Sequence, residues 1–353
     1  MNAPMSHSAT IRLADLSDAG EVTRIEGFVA DAGGSVFHRP LWLCAIERGT
    51  GNRAHGLLIE RGGVIAGWLP LSAVSSPIFG KALVSSGFGV GGGVLAGRQD
   101  DAVRLCRAAE ELAGRMSVGT VELRGADAAD DWEVIEGRHS NFAADLAADD
   151  EAQLLAIPRK ARAEVRKGLD NDLQVSVGWG EDDRRAHFAA YSESVRNLGT
   201  PVFPRSLFDA VLDLFGEDAD ILTVRHGDTP VASVLSLYHR GTVMPFWGGG
   251  PFAARSLRAN ERMYYALMCH ARRRGCTRFD FGRSKTGSGP FSFKKNWGFE
   301  PEPLVYRSWS GGGVAARNID PTDEGHSAKI ELWKKLPLPI ANMIGPWIAR
   351  GLG

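Results

Sequence analysis

The chain has 353 residues, 44% of them hydrophobic and 24% charged, with a formal net charge of −1. That length suits two soluble globular domains. Near-neutrality leaves no global field to recruit nucleic acid or an anionic membrane, so any anion binding must come from local clusters. The N-terminal MNAPMSHSAT lacks the apolar core and basic lead of a signal peptide, and no apolar run reaches the ~18 residues of a membrane span. Cys44, Cys106, Cys269 and Cys276 have neither disulfide-framework nor zinc spacing, which places the chain in a reducing, cytosolic compartment.

Residues 11–30 read as a strand followed by a helix, and Pro40 can open a second helix at its first turn. Around it, Phe37, Leu41 and Trp42 are candidate core residues, and His38 is either a structural hydrogen-bonder or a base. Two strand-like runs, 54–60 and 64–74, are joined at Arg61-Gly62-Gly63 in a tight-turn pattern. A third, 81–86, enters a glycine-rich segment ending at Gly93. Ala102, Leu105, Ala109, Leu112 and Met116 then fall on helical spacing, and a strand returns at 118–124.

The same order recurs later. Strands at 221–225 and 231–238 flank His226-Gly227-Asp228; a strand at 243–247 runs into Gly248-Gly249-Gly250; a helix covers 260–274; and a strand follows at 278–281. Ile65–Leu71 aligns with Val231–Leu237, Gly91–Gly93 with Gly248–Gly250, and Val121–Leu123 with Phe279–Phe281, each offset by roughly 160 residues, as a duplicated domain requires. Between the copies, the stretch after Pro158 is helical in pattern. Arg159, Arg162 and Arg166 share a face there that suits either solvent or phosphate. Residues 197–204 read as a loop able to cover a cleft.

The stretch from Cys276 to Tyr306 is the most distinctive. A half-buried strand ends at Phe281, residues 282–289 are small and flexible, and a second apolar run, Phe291-Ser292-Phe293, reads as a return strand. Arg283, Lys285, Lys294 and Lys295 lie between Phe281 and Phe299 with no acidic residue among them. Such a loop can hold an anion or a developing oxyanion; it can equally be a solvated turn. Known motifs fail here and elsewhere. Gly87–Gly92 satisfies G-x-G-x-x-G, but residues 94–97 separate it from the next helix, and hairpins surround it. Gly282–Ser288 lacks the P-loop lysine and is not expected to lead into a helix, and Thr286 breaks the nucleophile-elbow pattern. No His, Cys and carboxylate set has metal spacing.

Taken together, these features resemble the Fem-type transferases, and most closely the FemAB-like proteins associated with exosortase and PEP-CTERM systems. The resemblance rests on Phe37-His38-Arg39 with Trp42, Leu69-Pro70-Leu71, Pro158–Arg162 with Arg166-Lys167-Gly168, Gly199-Thr200-Pro201, Phe279–Lys285 and Phe293–Phe299. It implies an α/β fold of two tandem GNAT-like domains, 1–150 and 151–315, followed by a tail, 316–353. It also implies transfer of an acyl or aminoacyl group from acyl-CoA or aminoacyl-tRNA to an amine on an amino sugar, peptide or lipid-linked precursor, in envelope or exopolysaccharide synthesis. No tightly bound cofactor or metal is expected. By position, Lys294 takes the oxyanion-stabilising role, with Lys295 as its substitute, and Asp280 orients a lysine, takes a proton, or is simply paired with Arg278 and Arg283.

Anionic parts of the substrates fall to Arg39, Arg159, Arg166, Arg283 and Lys285. Phe37, His38, Trp42, Trp247 and Trp297 are assigned to the cleft wall. The donor loop would lie at residues 253–260, where the family's glycines are missing but Arg255, Arg258 and Asn260 can meet phosphates. A non-catalytic scaffold in polysaccharide assembly is the rival reading. In the tail, Trp333, Leu336, Leu338, Ile340, Met343, Ile344 and Trp347 alternate with Lys334, Lys335 and Arg350. This basic amphipathic segment, interrupted by prolines, either docks on the body or lies on the inner membrane surface.

Overall fold

The computed structural model of the protein describes residues 9–77, 79–311 and 330–353. The first eight residues, Lys329 and the expected domain limit at 315/316 lie outside them. Two compact units emerge, one built from residues 9–136, 305–311 and 350–353, the other from 137–304 and 330–349.

The first unit holds β1 (Thr10–Leu13), α1 (Ala19–Asp31), α2 (Pro40–Thr50), β2 (Ala54–Arg61), β3 (Val64–Ser76), β4 (Gly80–Ser85), β5 (Leu95–Ala96), α3 (Gln99–Arg115), β6 (Thr120–Leu123) and β7 (Glu133–Ile135). In the second are β8 (His139–Asp145), α4 (Asp150–Ala156), α5 (Arg159–Asp170), β9 (Gln174–Gly178), α6 (Glu181–Leu198), α7 (Arg205–Phe215), β10 (Ala219–His226), β11 (Thr229–His239), β12 (Thr242–Gly249), α8 (Ala259–Arg273), β13 (Arg278–Asp280), β14 (Ser284–Lys285), α9 (Gly289–Asn296) and β15 (Pro301–Pro303). The chain then returns to the first unit with β16 (Tyr306–Ser310) and to the second with α10 (Leu338–Ala349).

The duplication is visible in the hydrogen bonding. One sheet contains the order β2-β3-β4-β6 and the other β13-β12-β11-β10, the same four-strand sequence read in opposite directions. In both, two antiparallel pairs are followed by one parallel pair reached through a helix, as a parallel crossover requires. Even the irregularities match. The first hairpin of each set carries a register shift two residues before its turn, between Ile59 and Glu60 in one and between Val224 and Arg225 in the other. Apolar faces of α3 (Leu105, Ala109, Leu112) and α8 (Met263, Leu267, Ala271) lie in the cores of their respective units. Each helix thereby covers one face of its sheet.

Three expectations change. The expected first domain ran to residue 150, but β8 within that span pairs with β13, Ala143 opposite Asp280, and belongs to the second sheet. The apolar run Phe291-Ser292-Phe293 is not a return strand: it lies in α9. Ser288 Oγ caps that helix by accepting the Phe291 N–H at 3.3 Å, and Pro290 sits in its first turn. A helix therefore does follow the Gly282–Ser288 loop, but Ser288 in place of the lysine and Gly289 in place of the Ser/Thr still separate it from a P-loop. Residues 197–204 are partly helical as well, because α6 continues to Leu198 and stops at Gly199, whose φ of 84° is the left-handed conformation glycine accepts.

Beyond β12 the backbone is tightly confined, since a Cβ on Gly250 would lie 2.3 Å from the carbonyl oxygen of Val231. Gly250→Ala is expected to destabilise the protein by about 1–3 kcal/mol through displacement of this segment, read as a lower thermal unfolding midpoint.

Candidate functional site

The second sheet opens between β12 and β13. Their parallel pairing consists of two rungs, Thr242 with Arg278 and Val243 with Phe279. Beyond these, β12 continues to Gly249, while the other chain turns toward β8, where the Phe281 N–H meets the Phe142 carbonyl at 2.7 Å. Pro245 has no N–H to offer, and Phe246 is the extra residue of a bulge, since Leu235 pairs with Trp247 and Ser236 with Pro245. The last half of β12 thus keeps its ladder to β11 and parts from β13.

Past the opening, residues 252–257 form a 3-10 turn and α8 begins at Ala259. Arg258 precedes it in the left-handed conformation, φ 55°, and no side chain caps the helix. Its first-turn N–H groups and its dipole favour an anion. Asn260 Oδ1 is buried there with no hydrogen-bond partner. The α5 helix packs alongside: a Cβ on Gly168 would lie 2.9 Å from the Arg258 carbonyl, so only glycine allows this approach. Glu164 accepts from Lys167 Nζ at 2.7 Å and forms an ion pair with Arg258, whose Nε lies 2.6 Å from Oε2, and these cations, Lys167 first, hold its carboxyl below the usual range. Asn171 Nδ2 donates to the Leu257 carbonyl at 2.8 Å. Arg159, Lys160, Arg166 and Lys167 are exposed on α5, and Arg255 is exposed over the Phe252 ring at 4.3 Å. Glu164, Gly168 and Asn171 thus hold the C-terminal part of α5 against the start of α8.

Lys294 lies elsewhere than expected for an oxyanion donor. Its ammonium is buried and donates to three backbone carbonyls, Phe281 at 2.7 Å, Gly282 at 2.9 Å and Arg283 at 3.1 Å. The rings of Phe142 and Phe281 stand 5.4 and 5.7 Å away. Three donors thus meet three acceptors, and the lysine ties α9 to the loop that leaves β13. Burial pushes its pKa down to about 7, with Asp280 pulling the other way. Asp280 is itself raised by burial, against hydrogen bonds from the Gly282 N–H (2.8 Å) and Asn141, and against the charges of Lys294 and Arg278.

The other expected residues divide between the units. Phe37 and Trp42 belong to the first unit's interior, 1% and 0% exposed, in edge contact at 5.0 Å; they are core rather than cleft wall. Arg39 pairs with Glu26 at 2.9 Å, and Ser35 N–H donates to His38 Nδ1 at 3.0 Å, a structural role for both. In the second unit, Trp247 packs on Phe208 at 4.9 Å, and Trp297 joins Tyr264, Phe281 and Phe293 in an aromatic cluster. Arg283 and Lys285 are half-buried, whereas Lys295, the next residue of α9 after the buried Lys294, is exposed. Sequence reasoning missed Glu164 and Asn171. It also missed a buried network in which Asp220 accepts from Tyr238 at 2.9 Å and lies 3.0 Å from His270 and 3.4 Å from Arg274. A lone Asp in a strand run gives no signal of a partner 50 residues away on a helix. No cluster able to hold a metal occurs among the described residues.

With the geometry in place, comparison with known proteins is direct. Residues 158–295 match the family described as "Acetyltransferase (GNAT) domain". Among solved structures, the chain is similar to FemX (15% identity, 80% of this chain and 95% of that one, TM-score 0.63). It is also similar to a tandem GNAT protein from the clavulanic acid biosynthesis pathway (12%, 87% and 100%, 0.58). This is a tandem GNAT fold. A third likeness is to L-PGS from Bacillus licheniformis (12%, 95% and 97%, 0.53). No curated protein matches by sequence. The family match covers β12, α8, β13 and most of α9, so the GNAT sequence signal lies in the second unit.

Lys294 has a testable pH signature. Its folded pKa of about 7 lies below the unfolded 10.5, so the unfolded chain holds a proton that the folded one releases in between. Stability should therefore rise as pH increases through that window, measured by urea unfolding. Lys294→Met should flatten the rise and, by stranding buried carbonyls, cost on the order of 3 kcal/mol.

Proposed function

We propose that the protein is an N-acyl- or aminoacyltransferase whose reaction centre is the opening between β12 and β13. The observation carrying this reading is the two-rung parallel pair, which parts beside an uncapped α8 N-terminus edged with arginine, within the stretch matched by an acetyltransferase family. The donor's anionic portion is assigned to the first turn of α8 with Arg255, Arg258 and Asn260, and to Arg159 and Arg166 on α5. Acyl-CoA fits the GNAT fold; an aminoacyl-tRNA fits the Fem-type resemblance and the extended basic face of α5. The acceptor is an amine on an amino sugar, peptide or lipid-linked precursor of the cell envelope or an exopolysaccharide, and the resemblance to exosortase-associated proteins supports the latter setting.

In this reaction the amine attacks the carbonyl carbon of the thioester or ester. A C–N bond forms, the C–S or C–O bond breaks, and the leaving group departs as CoA thiol or tRNA hydroxyl once it has gained the proton lost by the amine. Asp280, raised toward neutrality by burial, is assigned as the proton acceptor. Lys294 is assigned as a positioning residue that holds the 281–283 loop, and Arg283 on that loop and Lys285 in β14 are assigned to the anionic parts of the acceptor. The internal commitment of Lys294 also favours a second reading, a scaffold that holds the same ligands without reaction.

Calorimetric titration with CoA, acetyl-CoA and charged tRNA, followed by transfer assays on amino-sugar and peptide acceptors, separates these readings. For a transferase, Asp280→Asn should retain donor binding and lower kcat by roughly 10²–10⁴. Donor binding without turnover by the wild type would support the scaffold, and unchanged kcat in Asp280→Asn would remove the assigned proton acceptor. If tRNA is the donor, binding should weaken steeply with salt.

A further inference from the structure

The tail presents two faces, and only one is used by the fold. Small residues Ala341, Gly345 and Ala349 form the buried stripe of α10. A Cβ on Gly345 would lie 3.0 Å from the Val202 backbone, and Asn342 Nδ2 reaches Ser192 Oγ on α6 at 3.3 Å. Just upstream, Arg196 of α6 donates to the carbonyls of Lys334 and Leu336 at 3.2 and 3.4 Å. With the small residues turned inward, the large ones point out. Ile340, Met343 and Trp347, spaced as i, i+3 and i+7, are 43%, 72% and 59% exposed, and Leu332 is 66% exposed.

Across residues 331–353 the basic Lys334, Lys335 and Arg350 outnumber the single acid, Glu331, which pairs with Lys334 at 2.6 Å, while Lys335 is exposed. We propose that this outer face of α10 rests on an anionic lipid surface. Exposed Trp, Met and Ile beside an excess of basic residues is the composition that lies in a bilayer interface. The helix has 12 residues, about 18 Å at 1.5 Å per residue, far short of a bilayer span, so it lies in the plane. No helix among the described residues is long and apolar enough to cross a membrane. A second copy of the chain fits less well, because three side chains on one helix fall short of the roughly 800 Å² per partner of a stable interface.

Co-sedimentation of the full chain tests this, with vesicles of pure phosphatidylcholine and vesicles about one-third phosphatidylglycerol. Binding should be about fivefold tighter to the anionic vesicles, the effect of one exposed lysine, Lys335, near the surface, and should weaken with salt. Met343→Ser with Trp347→Ser should lower that binding at least tenfold while leaving the thermal unfolding midpoint unchanged, since both side chains are exposed. Absence of vesicle binding, equal binding to both lipids, or an unaffected double variant would overturn the proposal. So would a wild-type dimer, seen by light scattering, that the double variant converts to a monomer. Because the readout is lipid binding, failure here leaves the transfer reading intact, and loss of transferase activity leaves this one intact.

Discussion

Two rungs of parallel pairing govern the second unit. A crossover through α8 must bring β13 back beside β12 with the same direction, and the pairing lasts only from Thr242 to Val243 on one strand and from Arg278 to Phe279 on the other. Everything that follows answers to the place where it stops. Pro245 and the Phe246 bulge keep β12 attached to β11 while its other edge is released, and Gly250 lets the next segment pass against the Val231 carbonyl. The first turn of α8 is delivered to the same end of the sheet. The first unit repeats the device with Leu83–Val84 against Val121–Glu122, but there the neighbouring segment is closed by Arg124. Its guanidinium is buried and bonded to the carbonyls of Ser86 and Gly89 at 3.0 and 2.6 Å and to that of Gly353. One duplicated architecture thus carries two different interiors.

The buried ammonium of Lys294 shows how a charge can serve the backbone. A loop that leaves a strand with three consecutive carbonyls facing inward is costly unless a donor meets them, and a tetrahedral –NH₃⁺ supplies three. The arrangement joins α9, β13 and the intervening loop through one atom, and Asp280 nearby offsets part of the desolvation. A residue placed this way shapes the site by fixing where residues 281–283 run.

The packing of α5 on α8 and the docking of the tail follow the same economy of small residues. Gly168 brings α5 against the start of α8, and Gly345 brings α10 against the 202 segment. In each case the side chain that is missing lets backbone approach backbone, and the large or charged residues of the same helix are turned outward. On α5 these are arginines and lysines; on α10 they are Ile340, Met343 and Trp347. Both outer faces are therefore consequences of packing as much as of composition.

Much of this was legible in the chain itself. Alternating runs marked the strands, helical spacing marked α3 and α8, and three aligned stretches at a constant offset announced a duplicated α/β domain. These signals are local, so they survive without knowledge of the fold. The helix after Pro158 was legible from its spacing, though nothing local tied it to residues 253–260. Tertiary structure decided the rest, because long-range partners have no sequence period. It turned Phe291–Phe293 into a capped helix and moved β8 into the second sheet, and it decided for Phe37 and Trp42 between the two places the sequence allowed them, core and cleft wall. It joined Glu164 to Arg258 and Asp220 to His270. It also directed Lys294 onto three carbonyls, a placement set by the path of a loop eleven to thirteen residues earlier in the chain.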